Sequence, residues 1–546
     1  MNHLYFGDNL DWLRDTKAFP DASVDLIYLD PPFNSKRDYN LLFKSPKGNQ
    51  SEAQIEAFKD SWSWGEQAER ELDELLKQEN TNAGQMIDAL VRFLGRNDMT
   101  AYLVMMSTRL LEMHRVLKPT GSLYLHCDPT ASHYLKVVLD AVFGKANMRN
   151  EIVWRRSHPK GLAFTRFANN HDVIFAYGKE RNKTTWNPVY TKHDFEKAAE
   201  QYSLADADGR RYQLTSLLNP NPDRPNLTYE FKGVTKVWRW TKARMLEADA
   251  NGLIVVPKGG QGIPRFKRYL DEQEGIPVSD FWDDIEIASG AESLGYPTQK
   301  PLALLERIIS ASSNPGGVVL DPFCGCGTAV HAAQKLKRKW IGIDITHLAI
   351  SLIEKRLKDA FKSRCEFEVH GTPKDLDAAR NLAARDKYQF QWWAVSLVDA
   401  QPFQGRKKGA DGGVDGLKYF GDYEQKDEKL RQGGKGATKT CKIVVSVKGG
   451  GLKADDVRSL MAVRERDSAE IALLISLEEP TKGMIGDAAS AGFYHDGAGR
   501  KFPHVQLLTI DGLLSGKQRA EHPDHQPDLN FKKARQEAHG KQKDLL

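Results

Sequence analysis

The stretch Val318-Val319-Leu320-Asp321-Pro322-Phe323-Cys324-Gly325-Cys326-Gly327-Thr328 constrains the fold of this chain more than any other. A β-branched apolar run that ends in an acid, passes two glycines and enters the helical-looking Ala329 to Lys337 reads as a strand, a glycine loop and a helix. Trp340-Ile341-Gly342-Ile343 then forms a second strand. It delivers Asp344 about 20 residues after the loop, where a carboxylate meets ribose hydroxyls in Rossmann-like nucleotide sites.

A second apolar run, Val24 to Leu29, stops at Asp30-Pro31-Pro32-Phe33. This reads as a buried strand that delivers a carboxylate to a rigid turn. The exocyclic amine of adenine or cytosine is a poor nucleophile, because its lone pair is delocalised into the ring. A site that methylates it must hold its hydrogens on acceptors, and Asp30 and the proline carbonyls are suitable ones. Phe33 offers a flat apolar face for a base taken out of its stack. Taken alone, D-P-P fits an ordinary Pro-Pro turn equally well.

D-P-P-F, D-P-F-C-G-C-G-T and Pro297-Thr298-Gln299-Lys300-Pro301 together resemble the amino-group DNA methyltransferases, N6-adenine or N4-cytosine. Matching motifs run from Gly7-Asp8-Asn9 to Asp344, about the first two-thirds of the chain. The catalytic motif comes first, as in the β-type order of that family. The resemblance implies a Rossmann-like S-adenosylmethionine (SAM) dependent sheet with permuted motif order. Asp30, Pro31, Pro32 and Phe33 would be catalytic; Asp8, Thr298, Lys300, Asp321, Phe323, Gly325, Gly327, Thr328 and Asp344 would hold the cofactor. Two departures are Tyr296, where His is usual, and Cys326, where Ser is common.

Leu4 to Phe6 reads as a strand, Leu10 to Leu13 opens a helix, and Asp8 between them is a cofactor contact or a helix N-cap. From Gln54 to Leu117 the spacing is helical, with a core stripe of Leu103, Met106, Leu110 and Met113. Pro119-Thr120-Gly121 ends that block before the strand Ser122 to His126. His126, Cys127 and Asp128 lack the partners of a metal site. After the strand Glu151 to Trp154 come Arg155, Arg156, Lys160 and Arg166, interleaved with Phe164 and Phe167, a pattern suited to DNA phosphates and stacking. Residues 179–290 read as polar and irregular, in the place of the family's target-recognition region.

A new composition starts after residue 372. A helix Leu376 to Tyr388 is followed by Gly412-Gly413-Val414-Asp415 and the strand Lys442 to Lys448. This resembles the Mrr-like endonucleases of the PD-(D/E)xK fold, so the resemblance implies a smaller α/β domain over 373–516. Asp415 and Lys448 match its motif, and Asp415 would bind Mg²⁺. Ser446 stands where that family has an acid, and hydroxyl is a weaker metal ligand than carboxylate; Asp411 is a candidate substitute. The tail 517–546 is too polar to pack and reads as partly disordered.

The net charge of +5 is small for 546 residues, so basic residues matter where they cluster. Five cysteines without paired spacing give no disulfide framework and fit a reducing cytosol. No leader or membrane-length apolar run is present, and a cytoplasmic protein is expected. Double-stranded DNA is the implied partner, with a homodimer admitted. N6-adenine is favoured over N4-cytosine by family tendency, because D-P-P is the adenine form. An RNA or protein-amide methyltransferase, and a restriction protein whose main activity is binding or cleavage by the C-terminal domain, stay open.

Overall fold

The computed structural model describes residues 1–32, 38–44, 50–59, 63–78, 81–158, 167–191, 200–260, 262–273, 275–290, 292–296, 298–403, 412–423, 438–523 and 534–537. Its main sheet has nine strands: β1 (Asn2–Phe6), β2 (Val24–Leu29), β3 (Leu117–Cys127), β4 (Met148–Arg155), β5 (His171–Gly178), β6 (Phe281–Trp282), β7 (Val318–Asp321), β8 (Lys339–Asp344) and β9 (Phe367–His370). In space the order is β6-β4-β5-β3-β2-β7-β8-β1-β9. β3, β2, β7, β8, β1 and β9 run parallel, and β5 lies antiparallel between β3 and β4. Leu26 to Leu29 are all buried, so both faces of β2 are covered, as the near-continuous apolar run requires. The carboxyl ends of β1, β2, β7 and β8 therefore meet at one edge, which in open α/β sheets is the ligand edge.

The helix Asp98–Val116 carries the expected Leu103, Met106, Leu110 and Met113 into the main core. Two expectations nearby fail. Gln50–Lys59 is a strand, paired antiparallel with Asp38–Lys44, and helix begins only at Glu66. Cross-strand pairing outweighs the modest helical propensity of its Glu and Ala residues. Pro119-Thr120-Gly121 does not end the block; β3 runs through it as a bulge, its register jumping from Val24↔Leu117 to Leu26↔Ser122. Gly121 is required there, since a Cβ would lie 2.9 Å from the Asp25 carbonyl oxygen.

Residues 188–279 form a compact unit of their own. The segment expected to be irregular holds a four-stranded sheet, a two-stranded hairpin and the helix Lys242–Ala250. Its core is small: Leu217, Phe231, Trp238, Met245, Ala248 and Ile254. Apolar residues this sparse give little periodicity to read.

The C-terminal sheet orders Gln401–Pro402, Gly416–Tyr423, Thr438–Lys448, Ile471–Ser476 and Val505–Thr509 side by side. The first two pairings are antiparallel and the last two parallel. The single helix expected over Leu376 to Tyr388 is two, Leu376–Arg385 and Lys387–Ser396. Asp386 breaks it by accepting the Tyr388 and Gln389 N–H groups as an N-cap. This sheet and the main one fall within one compact unit, each over a core of its own. Gln389 accepts the His347 N–H, and Trp392 packs on Tyr296, Cys326, Leu348 and Leu352. The start of the tail also packs. Gln518 accepts the N–H of Thr509, and the Gln506 amide exchanges two hydrogen bonds with the Glu521 backbone. Amide side chains can fix a polar segment that has no apolar residues to bury.

Candidate active site

Asp30 follows β2 directly and stands beside the last residues of β7 and β8. One oxygen, Oδ2, is ion-paired with the buried Lys300 ammonium. The other, Oδ1, is buried and has no hydrogen-bond partner among the described residues. A buried acceptor left unpaired is costly and calls for an N–H donor. Pro31 is buried and Pro32 half-buried; Phe33 lies outside the described residues. Lys300 and Thr298, expected at the cofactor, meet each other: Lys300 Nζ is 3.5 Å from the Thr298 carbonyl oxygen. The ammonium serves Asp30 first.

Around Asp30 the strand ends collect two more carboxyl groups. Burial pushes the Asp321 carboxyl well up, against the hydrogen bond from the Phe323 N–H, and the Asp30 and Asp344 charges push it further. Burial also raises Asp344 to about 6, although it accepts hydrogen bonds from the Gly325 N–H at 2.8 Å and from Thr346 N and Oγ1 at 2.9 Å. Three carboxyl groups with one ammonium at these strand ends suit a cation and hydroxyl donors. The Gly325 and Gly327 loop turns with φ of +53° and +75°. A Cβ on Gly327 would stand 2.8 Å from Ile353 Cγ1, and one on Gly325 would touch the Tyr296 ring. Tyr296 therefore packs on the loop as a flat wall.

Four residues that support this pocket were missed from the sequence. Arg109 donates to both Asp8 oxygens at 2.9 Å and to Asn9 Oδ1 at 2.7 Å, while Asn9 donates to the Pro322 carbonyl at 2.8 Å. Asp8 also accepts the Leu10 N–H. Its carboxylate is thus a helix cap and the partner of a buried guanidinium. Under the glycine loop, Arg356 Nη1 donates to the Cys326 carbonyl at 3.0 Å and to Thr328 Oγ1 at 3.1 Å. Its Nε donates to His331 Nδ1, and His331 Nε2 reaches Glu537 Oε1 at 3.1 Å. Thr328 therefore faces the support beneath the loop, and Phe323 packs on the main core. Arg109 had a signal, a charge with Met105 and Met113 four residues away on either side in the same helix. Glu537, more than 200 positions from His331, had none.

The basic segment is partly held by protein. Arg155 donates to the Asp283 carbonyl at 2.7 Å, and Arg156 Nε lies 3.3 Å from Asp172. Lys160, Phe164 and Arg166 lie outside the described residues, and Phe167 is exposed. Asp172 is buried and accepts from His126 Nε2 at 3.2 Å, which leaves Nδ1 to accept from the Tyr28 hydroxyl at 3.0 Å. His126 is a structural link between β2, β3 and β5.

In the C-terminal sheet Asp415 and Ser446 come together. Asp415 Oδ2 accepts the Val447 N–H at 2.6 Å and lies 3.4 Å from Ser446 Oγ, and its Oδ1 accepts from Gln391 at 3.0 Å. Lys448 is paired instead with Asp456, at 2.9 Å. Asp411 lies outside the described residues. One carboxylate and one hydroxyl fit Mg²⁺ poorly, since that ion prefers a near-octahedral set of oxygens.

Comparison with known proteins places this geometry. Type II methyltransferase M.EcaI of Enterobacter cloacae is 36% identical over 262 residues, covering 47% of this chain and 57% of that protein. The StyLTI Mod subunit, a type III restriction-modification enzyme of Salmonella typhimurium, is 24% identical over 61% of this chain and 50% of its own length. DNA adenine methyltransferase YhdJ of Escherichia coli is 25% identical over 64% of this chain and 80% of its own length. The chain thus spans about half of the first two relatives. The profile of the N6/N4 DNA methylases matches residues 24–355, from the strand before Asp30 past the glycine loop and Asp344. The chain belongs to the N6/N4 DNA methylase family.

Proposed function

We propose that the protein transfers a methyl group from SAM to the N6 amino group of adenine in duplex DNA, in the cytoplasm, as the modifying activity of a restriction-modification system. The observation that carries this reading is Asp30 Oδ1, a buried acceptor without a hydrogen-bond partner among the described residues, at the end of the central strand. The groups beside it suit SAM: a glycine loop at positive φ between two parallel strands, Asp344 for ribose hydroxyls, and the Asp30 and Asp321 carboxyl groups for a cationic sulfonium. SAM supplies an activated methyl group, so the protein's task is positioning and electrostatics.

Asp30 accepts an N–H of the extruded base and so directs the amine lone pair away from the ring. Lys300 keeps the other oxygen compensated, and the Pro31 carbonyl is the second acceptor. Pro31 and Pro32 hold the turn rigid, and Phe33 stacks the base. Arg155, Arg156, Lys160 and Arg166 contact phosphate, and 188–279 reads sequence. The adenine assignment draws on the D-P-P form and on the printed activity of YhdJ.

Nucleoside mass spectrometry of unmethylated DNA incubated with the protein and SAM tests this. N6-methyladenine is expected, and is lost in Asp30→Ala. N4-methylcytosine would keep the mechanism and change the base; no modified base on several DNAs would overturn it. A second reading rests on the meeting of Asp415 with Ser446 in the C-terminal sheet. On this reading the domain binds DNA, and the donors among its described residues give no support for a Mg²⁺-dependent cut. Nicking of unmethylated DNA with Mg²⁺, lost in Asp415→Ala and Lys448→Ala, would show that it cleaves.

A further inference from the structure

The edge of the main sheet away from the basic segment carries a second group of ligating side chains. β1 and β9 pair in parallel, with His3 opposite Glu368 and Tyr5 opposite His370. Side chains two positions apart on a strand share a face, so His3, Glu368 and His370 project side by side from one rigid surface. His3 Nδ1 lies 3.0 Å from His370 Nε2. Glu368 Oε2 lies 3.9 Å from His3 Nδ1 and 3.7 Å from His370 Nε2. Among the described residues this is the group of three His, Cys, Asp or Glu side chains whose ligand atoms all fall within 4.8 Å.

We infer that His3, Glu368 and His370 form a Zn²⁺ site that clips β1 to β9. Zn²⁺ bonds of about 2.0–2.1 Å in a tetrahedron space the ligand atoms about 3.3–3.4 Å apart. The three observed separations bracket that spacing, and closure asks each atom to move by about half an ångström or less. Imidazole and carboxylate suit Zn²⁺, whereas Mg²⁺ and Ca²⁺ prefer oxygen throughout. The His370 ring is held for this purpose by flat stacking on Tyr5, centroids 4.5 Å apart at 17°.

Without metal the two facing nitrogens share one proton in a hydrogen bond. When the cation enters, that proton moves to the far nitrogen of its own ring. Both lone pairs then face the metal, and no proton is released. Glu368 is exposed, so its side is where water completes the tetrahedron. The position gives the clip its use. β1 leads through Gly7 into Asp8 and the helix it caps, whereas His370 precedes Gly371, where the chain leaves for the C-terminal sheet. Gly371 turns at φ +80° so close to β1 that a Cβ would meet the Phe6 carbonyl oxygen at 2.3 Å. One ion would fasten both departures.

Titration of the tag-free, metal-free full chain with Zn²⁺, read by calorimetry and by thermal unfolding, tests the site. One Zn²⁺ per chain is expected, with a rise in unfolding temperature that a chelator reverses. His3→Ala and His370→Ala should each weaken binding about tenfold or more, and Glu368→Gln less. Co²⁺ substitution of the wild-type chain needs no variant: the comparatively intense visible d–d bands of a four-coordinate ion, without a thiolate charge-transfer band, are expected. No Zn²⁺ uptake, equal binding by His3→Ala, or a thiolate band would each overturn the assignment.

Discussion

Asp30 and Lys300 form a buried pair, and breaking such a pair by removing one partner typically costs about 3–5 kcal/mol because the other charge stays behind. Lys300→Ala should therefore lower the unfolding temperature as well as methyl transfer, whereas Asp30→Ala should abolish transfer and leave SAM binding within a few-fold. Calorimetric SAM titration beside a transfer assay separates the two. Asp344 makes a pH prediction. Its carboxyl is raised to about 6 from an ordinary 3.8, so between these values the folded chain holds a proton that the unfolded chain has lost. Folding stability from this group thus falls as pH rises through that window. At the proposed site cofactor binding would run the other way, since ribose hydroxyls would donate to the ionised form. SAM affinity should fall as pH drops through about 6, and Asp344→Asn should bind weakly with no inflection there.

The glycine loop and its strands were legible because each local signal agreed with the next: β-branched run, acid, two glycines, helix, strand, acid. Gly327 shows how little slack the element has. Gly327→Ala would add a Cβ 2.8 Å from Ile353 at φ +75°, a strain of the order of 2 kcal/mol. Weaker SAM binding with modest loss of stability is expected, measured by calorimetry and thermal melts. What the sequence hid is the underside of the loop. Arg356, His331 and Glu537 meet only through tertiary contact, and no spacing rule links position 537 to position 331. Glu537→Ala should raise the KM for SAM more than it lowers kcat, with Glu537→Gln restoring part of the loss. The hairpin Asp38–Lys44 with Gln50–Lys59 was hidden for another reason: pairing partners, and not residue type, decide a strand with mixed propensity.

At the scale of the molecule, Gln389 and Trp392 of the C-terminal half complete the wall behind Tyr296 and His347. A chain ending at residue 372 should lose SAM binding and become prone to aggregation, because the patch of Tyr296, Cys326, Leu348 and Leu352 would lie open. Size-exclusion chromatography and SAM calorimetry of that fragment check this. The sheet order has a further consequence, in time. β2 and Asp30 are made early, but Lys300 follows Asp30 by 270 residues, and the glycine loop comes later still. At roughly 5–20 residues per second, a ribosome needs about a quarter of a minute to a minute to bridge that gap. Throughout it the nascent chain carries a catalytic turn with neither its counter-ion nor its cofactor strand. On the proposed reading, no partial product of synthesis would modify DNA before the far side of the sheet had been made.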